Sequence, residues 1–515
     1  MPSGAPPPTG GNLPFRILNA ARSASSSTSA FPRVLFRLDM WLWAALGVGL
    51  ALRLAWLETL DAVPFYDAQS YFNLAVDLVD GQPYEEYGSA YWPVGYPATL
   101  AAFFAFLGKT VAAGEVLNVL ASLLTIGLTY SLGHILYSRS VARTAAFIVA
   151  LLPSQIFANT LILSEVLFTA VQLGAIVLIV AALSRAELED DLRRIFAPKA
   201  AALVGLAFLV PAVNGPSIVA LFSIAVIAII FLLALTRGSQ LTFLWSAAAV
   251  LTGYALLIRP AALPLVAAAI LAALLMSRRS GLSAASEGGG RINRLLGRKT
   301  LGYAGLYLGV SFLVVAPWMM RNFTEIGTPT LSTTGGVNFL IGNHDGANGC
   351  WSFNYEEHGY IWEIQDEVER EREAFRQGFN FVRSDPLQAV SLIPLRFDCM
   401  WREDGDALGH WNRFEQPEAL DSHTHNLLMF VNQWYYWLLL GVAVIGVPAW
   451  LRTNPAHLVP LLVVALTTGY YLLFVGDDRY HQPLLPLIAV WGACGIGFLP
   501  RWWRQRPITW PRDGG

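Results

Sequence analysis

The stretch Tyr96-Pro97-Ala98-Thr99-Leu100-Ala101-Ala102-Phe103-Phe104-Ala105-Phe106-Leu107 decides how this chain is threaded. It is apolar, yet short for a membrane span, which needs about 20 apolar residues. It also follows Trp92-Pro93 and carries Pro97. If it crossed, the loop with Arg139 and Arg143 would lie opposite the N-terminal Arg16, Arg22, Arg33 and Arg37. So would the loop with Arg278, Arg279, Arg291, Arg294, Arg298 and Lys299. If it lies in the interface, the N-terminus, 134–143, 185–199, Arg237, 277–300, Arg452 and the Arg501/Arg504/Arg506 tail share one face. Cytoplasmic loops carry the excess of Lys and Arg, so the second arrangement is expected, with both termini in the cytoplasm.

Working outward, the 515 residues are 55% hydrophobic and 14% charged, with a mean hydropathy of +0.48. Soluble domains run about 25% charged, so an all-α polytopic membrane protein is expected. Apolar runs near 40–60, 115–133, 143–160, 165–184, 241–258, 260–276, 301–319, 426–448, 457–475 and 480–499, plus a pair in 200–236, predict about 12 transmembrane helices. Residues 1–38 are rich in Pro, Gly, Ser and Ala and read as a disordered cytoplasmic N-terminus rather than a cleavable signal. The expected organisation is a transmembrane catalytic core over 39–319 with a first outer loop at 61–114. An extracytoplasmic soluble segment follows at 320–425, then C-terminal helices at 426–500 and a basic cytoplasmic tail at 501–515. Three cysteines without a CxxC pair point to neither zinc nor iron–sulfur. Cys350 and Cys399 both fall outside, where an oxidising space permits a disulfide.

The same threading places three pieces outside: 61–114, the turn near 159–165, and 320–425. In the first, Tyr71, Leu74, Ala75 and Leu78 recur at helical spacing and Gly81 is a natural stop. An amphipathic helix on the outer leaflet is expected over 68–80, with Asp67 at the N-cap position. In the third, the charge run from Glu363 to about Arg383 reads as an exposed helix. His344, Asp345, His358, His410, His423 and His425 match no closed metal pattern. The sequence calls for no cofactor and leaves a divalent metal open.

Ionisable residues near a bilayer are costly. Arg53, Arg259, Arg321 and Arg479, with Asp477, Asp478 and His481, all fall at the outer ends of spans, on the face of Asp67 and Glu165. One arginine there is explained by snorkelling; four with several carboxylates point to a shared anionic ligand. There is no phosphate-cradling GxxxxGK[ST] loop and no dinucleotide fingerprint. That leaves a lipid phosphate, which arginine binds bidentately. A sugar phosphate is a good leaving group, so one carboxylate base suffices to deprotonate an acceptor hydroxyl and drive inversion.

Asp67-Ala-Gln-Ser-Tyr71 with Gly81 and Pro83-Tyr84, Pro93–Pro97, Leu163-Ser164-Glu165, Arg259-Pro260, Pro317-Trp318-Met-Met-Arg321-Asn322 with Gly335-Gly336 and Gly342-Asn343, and Arg479-Tyr480-His481-Gln-Pro483-Leu-Leu-Pro486 occur in that order. In this the chain resembles the GT-C membrane glycosyltransferases, specifically the bacterial protein O-mannosyltransferases and the lipid A aminoarabinose transferase. The resemblance covers about 40–500 and implies a polyprenyl-phosphate-linked sugar donor and a lipid, glycan or protein acceptor at the outer face of a bacterial inner membrane. It implies Asp67 as base and Glu165 as an orienting carboxylate. Arg259, Arg321 and Arg479 would hold the donor phosphate; Tyr71, Arg53, Tyr480 and His481 are further candidates. The first loop departs from the common pattern with Asp-Ala where many members have Asp-Glu.

Two other classes share this topology. A lipid-linked sugar transporter or flippase would show internal repeats with paired broken helices, and none is visible in the sequence. An O-antigen-type polymerase or ligase also has outer arginines, but the early Asp67 loop speaks against it. No nucleic-acid partner is indicated. The topology predicts that single cysteines placed in the first outer loop and in the 277–300 loop label from opposite faces of the membrane; labelling from the same face breaks it.

Overall fold

A computed structural model describes residues 39–60, 63–184, 240–285, 290–413, 420–450 and 455–503. Among these the regular structure is helical, apart from one isolated bridge between Cys350 and Gly476. The first part of the chain forms α1 (Met40–Leu57), α2 (Asp67–Asp80), α3 (Gly95–Leu107), α4 (Val111–Leu136), α5 (Arg139–Leu151), α6 (Pro153–Phe157) and α7 (Ser164–Leu183). The middle part forms α8 (Gln240–Ile258), α9 (Leu263–Ala285), α10 (Gly290–Ile326), α11 (Gly335–Gly342), α12 (Tyr355–His358), α13 (Glu367–Ser384), α14 (Pro386–Trp401) and α15 (Asp406–Arg413). The last helices are α16 (Ser422–Trp450), α17 (Leu458–Leu473) and α18 (Leu485–Trp503).

Six of these are long and apolar enough to cross a membrane: α1, α4, α7, α8, the Lys299–Ile326 part of α10 and the Ser422–Gly446 part of α16. The expected pair in 200–236 lies outside the described residues, as do 1–38 and the end of the tail, so the count of twelve is not established. The expected single span at 143–160 is instead two helices, α5 and α6, bent by 57°. The cause is Leu152-Pro153: a residue before proline is driven out of the helical region, and Leu152 is extended with φ −66 and ψ 113. The runs at 260–276 and 457–475 form shorter apolar helices, and α3, at 13 residues, is shorter still. Helix α10 runs past residue 320 to Ile326 and stops at Gly327, whose φ is +74.

Helix α7 is the axis of the bundle. It is apolar on every side, the signature of a fully enclosed helix, and 94% of it is buried. It packs against α4 on one side and α8 on the other. Hydroxyls stitch the neighbouring helices together where their backbones come close. Thr99 pairs with Tyr254, Thr252 with Tyr307 at 2.8 Å, and Ser311 Oγ donates to the Ala249 carbonyl at 3.0 Å. At the start of α1, Asp39 caps the helix by accepting from Trp41 N–H at 3.1 Å and binds Arg143 at 2.6 Å.

After the bundle helix α10, α11 and α14 both pack on α13. Asp366 caps α13 by accepting from Val368 and Glu369 N–H, at 2.8 and 3.0 Å. Cys350 and Cys399 form a disulfide with 5.4 Å between Cα atoms. The Gly476 N–H donates to the Gly349 carbonyl at 2.9 Å, so the disulfide loop lies directly against the segment that leads into α18. Arg396 of α14 completes this seam by donating to the carbonyls of Gly342 (2.7 Å) and Leu472 (2.8 Å).

Helix α13 carries one carboxyl in an unusual place. Burial pushes Glu371 up to about 7, against the lowering effect of hydrogen bonds from the Gly335 and Gly336 N–H groups. A carboxyl raised in the fold binds more protons folded than unfolded, so its stabilising effect is complete at low pH and is lost as pH rises toward 7. The melting temperature of the chain is expected to fall less between pH 5 and pH 8 in Glu371→Gln than in the parent. Identical pH slopes in scanning fluorimetry would remove this role.

Candidate active site

Four segments bring four charges to one cavity. Glu165 stands in the first turn of α7, where the helix N-terminus favours a carboxylate. Arg259 follows α8; the proline after it forces an extended conformation (φ −148, ψ 118), which ends the helix just before the arginine. Arg479 sits in a 3-10 turn at Asp478–Tyr480, whose first N–H bond comes from Asp477 Oδ1 accepting the Arg479 N–H at 3.2 Å. Asp67 opens α2. Contrary to the expected cap, the N-cap residue is Tyr66, with φ +47 and no side-chain cap bond. The Asp67 carboxylate is thereby left to other partners.

Those partners form a ladder. Arg259 Nη1 meets Glu165 Oε1 at 2.5 Å, Arg479 Nε stands 4.0 Å from the same oxygen, and Arg479 Nη1 reaches Asp67 Oδ2 at 3.3 Å. Burial runs along the ladder: the Glu165 side chain is 7% exposed and that of Asp67 36%. Burial disfavours the Arg479 charge, but the Tyr480 side chain and the carboxylates of Asp67, Asp477 and Glu165 outweigh it and hold the guanidinium well above the usual arginine value. The Arg479 guanidinium also lies 5.5 Å from the Tyr480 ring, and Tyr480 stacks on Tyr471 at 3.9 Å.

These residues line a cavity of about 1400 Å³. Its walls include Asp67, Tyr71, Glu165, Arg259, Asp477, Arg479, Tyr480 and Asp406. Tyr71 is buried there between the edges of Trp92 and Tyr96, with ring centroids 5.0 Å away in each case. The expected site residues Asp67, Glu165, Arg259, Arg479, Tyr71 and Tyr480 are thus brought together.

Three others are not. Arg321, expected on the phosphate, donates instead to the Ser89 carbonyl at 2.5 Å and the Tyr84 carbonyl at 3.4 Å, and lies over the Trp318 ring. It clamps the loop between α2 and α3 and does not line the cavity. Arg53 is fully buried and ties α1 to its neighbours, donating to Ser122 Oγ at 2.5 Å and to the carbonyls of Gly49 (3.0 Å) and Ala150 (3.2 Å). Backbone carbonyls and a hydroxyl engage its Nε and Nη1, while Nη2 has no hydrogen-bond partner, and it does not line the cavity. His481 is buried between the rings of Trp401 and Tyr436, with Nε2 at 3.3 Å from Asp404 Oδ1. It holds the Arg479 turn from behind.

The segment after α14 does the same from the side. Asp478 Oδ2 accepts the N–H groups of Gly405 (2.7 Å) and Asp406 (2.8 Å). Burial, with Asp406 and Asp477 close by, pushes the Asp478 carboxyl up. Asp406, Asp477 and Asp478 each offer an oxygen within 4.8 Å of the others, a set that fits a hard divalent cation. One of its members, Asp478, already serves as a backbone clamp.

The sequence did not disclose a further wall. Glu367 of α13 accepts from the Ser89 and Ala90 N–H groups (2.6 and 3.0 Å) and from Thr333 Oγ1 (2.7 Å). It pins the loop between α2 and α3 to α13 and brings Tyr87, Tyr91, Trp362 and Arg370 to the cavity. Their signal in the sequence was only a local density of aromatics.

No protein-family model matches the chain, and no curated protein matches it in sequence. Among solved structures it is similar to the Archaeoglobus fulgidus oligosaccharyltransferase tethered to an acceptor peptide, at 12% identity and a TM-score of 0.44, over 90% of this chain and 51% of that one. It is similar to the archaeal oligosaccharyltransferase AglB with an inhibitory peptide and a dolichol-phosphate, at 13% identity and a TM-score of 0.37, over 92% and 53%. It is also similar to ArnT from Cupriavidus metallidurans bound to undecaprenyl phosphate, at 13% identity and a TM-score of 0.30, over 92% and 82%. The structures matched are GT-C glycosyltransferases. The chain spans about half the length of the archaeal proteins. Chemistry at its site rests on its own residues.

The ladder makes a stability forecast. Glu165→Ala strands Arg259 in the interior and is expected to cost about 3–5 kcal/mol, while Asp67→Ala, at the open end, costs about 1 kcal/mol or less. Thermal unfolding in one detergent compares them; an equal loss from both would mean that Glu165 is not the buried anchor.

Proposed function

We propose that the chain is an inverting glycosyltransferase that moves a monosaccharide from a polyprenyl-phosphate donor to the hydroxyl of a lipid, glycan or protein at the outer face of the membrane. The observation that carries this is the ladder itself: a partly open carboxylate, Asp67, held 3.3 Å from an arginine whose other face reaches toward Glu165 and Arg259 within one large cavity. A lipid phosphate needs fixed cations at the bilayer surface, and guanidinium forks fit its oxygens bidentately. Arg479 and Arg259 are the cations at hand.

The reaction follows from the placement. Asp67 takes the proton from the acceptor hydroxyl, whose oxygen forms the new bond to the anomeric carbon. The bond from that carbon to the phosphate oxygen breaks on the opposite face, as in inverting hydrolysis. The phosphate keeps the electron pair, and its charge is met by Arg479 and Arg259. Glu165, paired with Arg259 at 2.5 Å and 4.0 Å from Arg479 Nε, holds the two guanidinium groups beside each other against their mutual repulsion. Arg321 has no part in this step, since backbone carbonyls occupy it. The disulfide between Cys350 and Cys399 supports the outer placement, because such bonds persist outside the reducing cytosol.

Mass spectrometry of surface glycans and glycolipids from a strain lacking the gene supplies the sugar to assay. Asp67→Asn is then expected to bind undecaprenyl phosphate like the parent yet lose about 10²–10⁴-fold in transfer, the usual contribution of a general base. Arg479→Ala is expected to weaken undecaprenyl phosphate binding about 10–100-fold, the loss of charged hydrogen bonds. Arg376→Ala, on an exposed helix and paired with Glu373 at 2.6 Å, leaves it unchanged. Parental transfer by Asp67→Asn would reduce that carboxylate to a structural partner of Arg479.

A further inference from the structure

The cavity has a second, chemically different end. Tyr87 and Tyr91 of the first outer loop face Trp362, with ring centroids 5.6 Å apart for the two tyrosines and 6.2 Å for Tyr91 and Trp362. Trp351 and Tyr355 extend the same wall. Three of these rings are open to solvent, Tyr87 at 59%, Trp351 at 50% and Tyr355 at 65%. Large exposed apolar rings in a concave surface mark binding sites rather than ordinary surface.

Arg370 organises this end. Its guanidinium lies 5.6 Å from the Tyr91 ring and 5.9 Å from that of Trp362, and donates to the Tyr87 carbonyl. It is 5% exposed, its Nε has no hydrogen-bond partner, and among the described residues no carboxylate lies within ion-pair distance. The backbone adds an independent observation. Among the described residues, the non-glycine residues with left-handed φ are Tyr66 (+47) and Tyr87 (+59), and both line this cavity. Such conformations cost energy and collect at functional sites. One tyrosine precedes Asp67; the other sits at the aromatic end.

We propose that this aromatic end is the acceptor subsite and that its occupant is a glycan, whose sugar rings stack on Tyr87, Trp351 and Trp362 while a terminal hydroxyl reaches Asp67. The inference rests on the transferase reading above and names the acceptor class. Sugar rings present C–H groups that pack on the negative faces of aromatic rings, and their hydroxyls accept from tyrosine and arginine donors. An extended peptide is the poorer fit, because peptides commonly add to a sheet edge, dock as an amphipathic helix in an apolar groove, or lie as PPII in one. Here the described residues offer no strand beyond one bridge. Arg259 and Arg479 lie at the ends of the bundle helices, and the aromatic rings on the loop between α2 and α3 and on the segment after α10, so donor and acceptor enter from different ends.

The test uses the full chain in nanodiscs with three probes: a glycan array, a peptide array and undecaprenyl phosphate. The parent is expected to retain a subset of the glycans, and Trp351→Ala and Trp362→Ala each to lose about tenfold in that binding while undecaprenyl phosphate binding stays at the parental level. Trp351 is half exposed, so its removal leaves the fold intact. A blank glycan array with undecaprenyl phosphate still bound overturns the acceptor subsite and leaves the transferase reading standing. Glycan binding indifferent to both tryptophans overturns its location. Tryptophan-dependent retention of peptides with no glycans overturns the class of occupant. Glycan binding without any undecaprenyl phosphate binding keeps the subsite and sinks the donor assignment.

Discussion

A charge withdrawn from water must be met by an opposite charge or by dipoles, and the ladder Asp67–Arg479–Glu165–Arg259 is where this protein meets that demand. The pairing dictates geometry. Each member arrives on a different segment, and each segment is stopped at a defined residue: α7 starts at Ser164, α8 ends before Arg259-Pro260, α2 begins at Asp67, and the turn before α18 presents Arg479. If any of these ends moved by one residue, a buried ion would lose its partner. The bundle is therefore organised to bring helix ends to one place, with the wholly enclosed α7 as the fixed reference.

Around the ladder stands a second set of polar contacts that never face the cavity. Arg321 and Glu367 hold the first outer loop, Arg396 holds the seam behind α17, Asp478 holds the α15 approach, and His481 is wedged between two rings. Most of these bonds end on backbone groups. Loops that carry irregular backbone beside a bilayer need such partners for every N–H and C=O. The cost of precision at the site is thus spread over charged residues that resemble site residues in every respect except what they touch.

That resemblance explains what could be read from the sequence. Apolar runs, the 3.6 period of α2 and its Gly81 stop were visible, because each is a local pattern with one physical solution. Asp67, Glu165, Arg259 and Arg479 were visible as ions at span ends. Arg321 and Arg53 had the same signature, and nothing in a sequence separates a guanidinium aimed at a ligand from one aimed at a carbonyl. The bend at Leu152-Pro153 merged with an apolar run long enough to pass as one span. Asp67 read as a cap because its spacing allowed one, but Tyr66, with its left-handed φ, takes the N-cap position and frees the carboxylate. The aromatic end was invisible, since it exists only where α13 docks on a loop far earlier in the chain.

The disulfide loop has a consequence for the ladder. Gly476, three residues before Arg479, leans on Gly349, beside Cys350, whose partner Cys399 closes the loop. The turn that presents Arg479 therefore has this backing only once Cys350 and Cys399 are joined. Arg479 is consequently the rung whose seating depends on a bond between two sulfurs outside the ladder. With those two thiols reduced, the turn would rest on Asp478 and His481 alone, so the redox state of a loop well removed from the cavity bears on how firmly the ladder is joined.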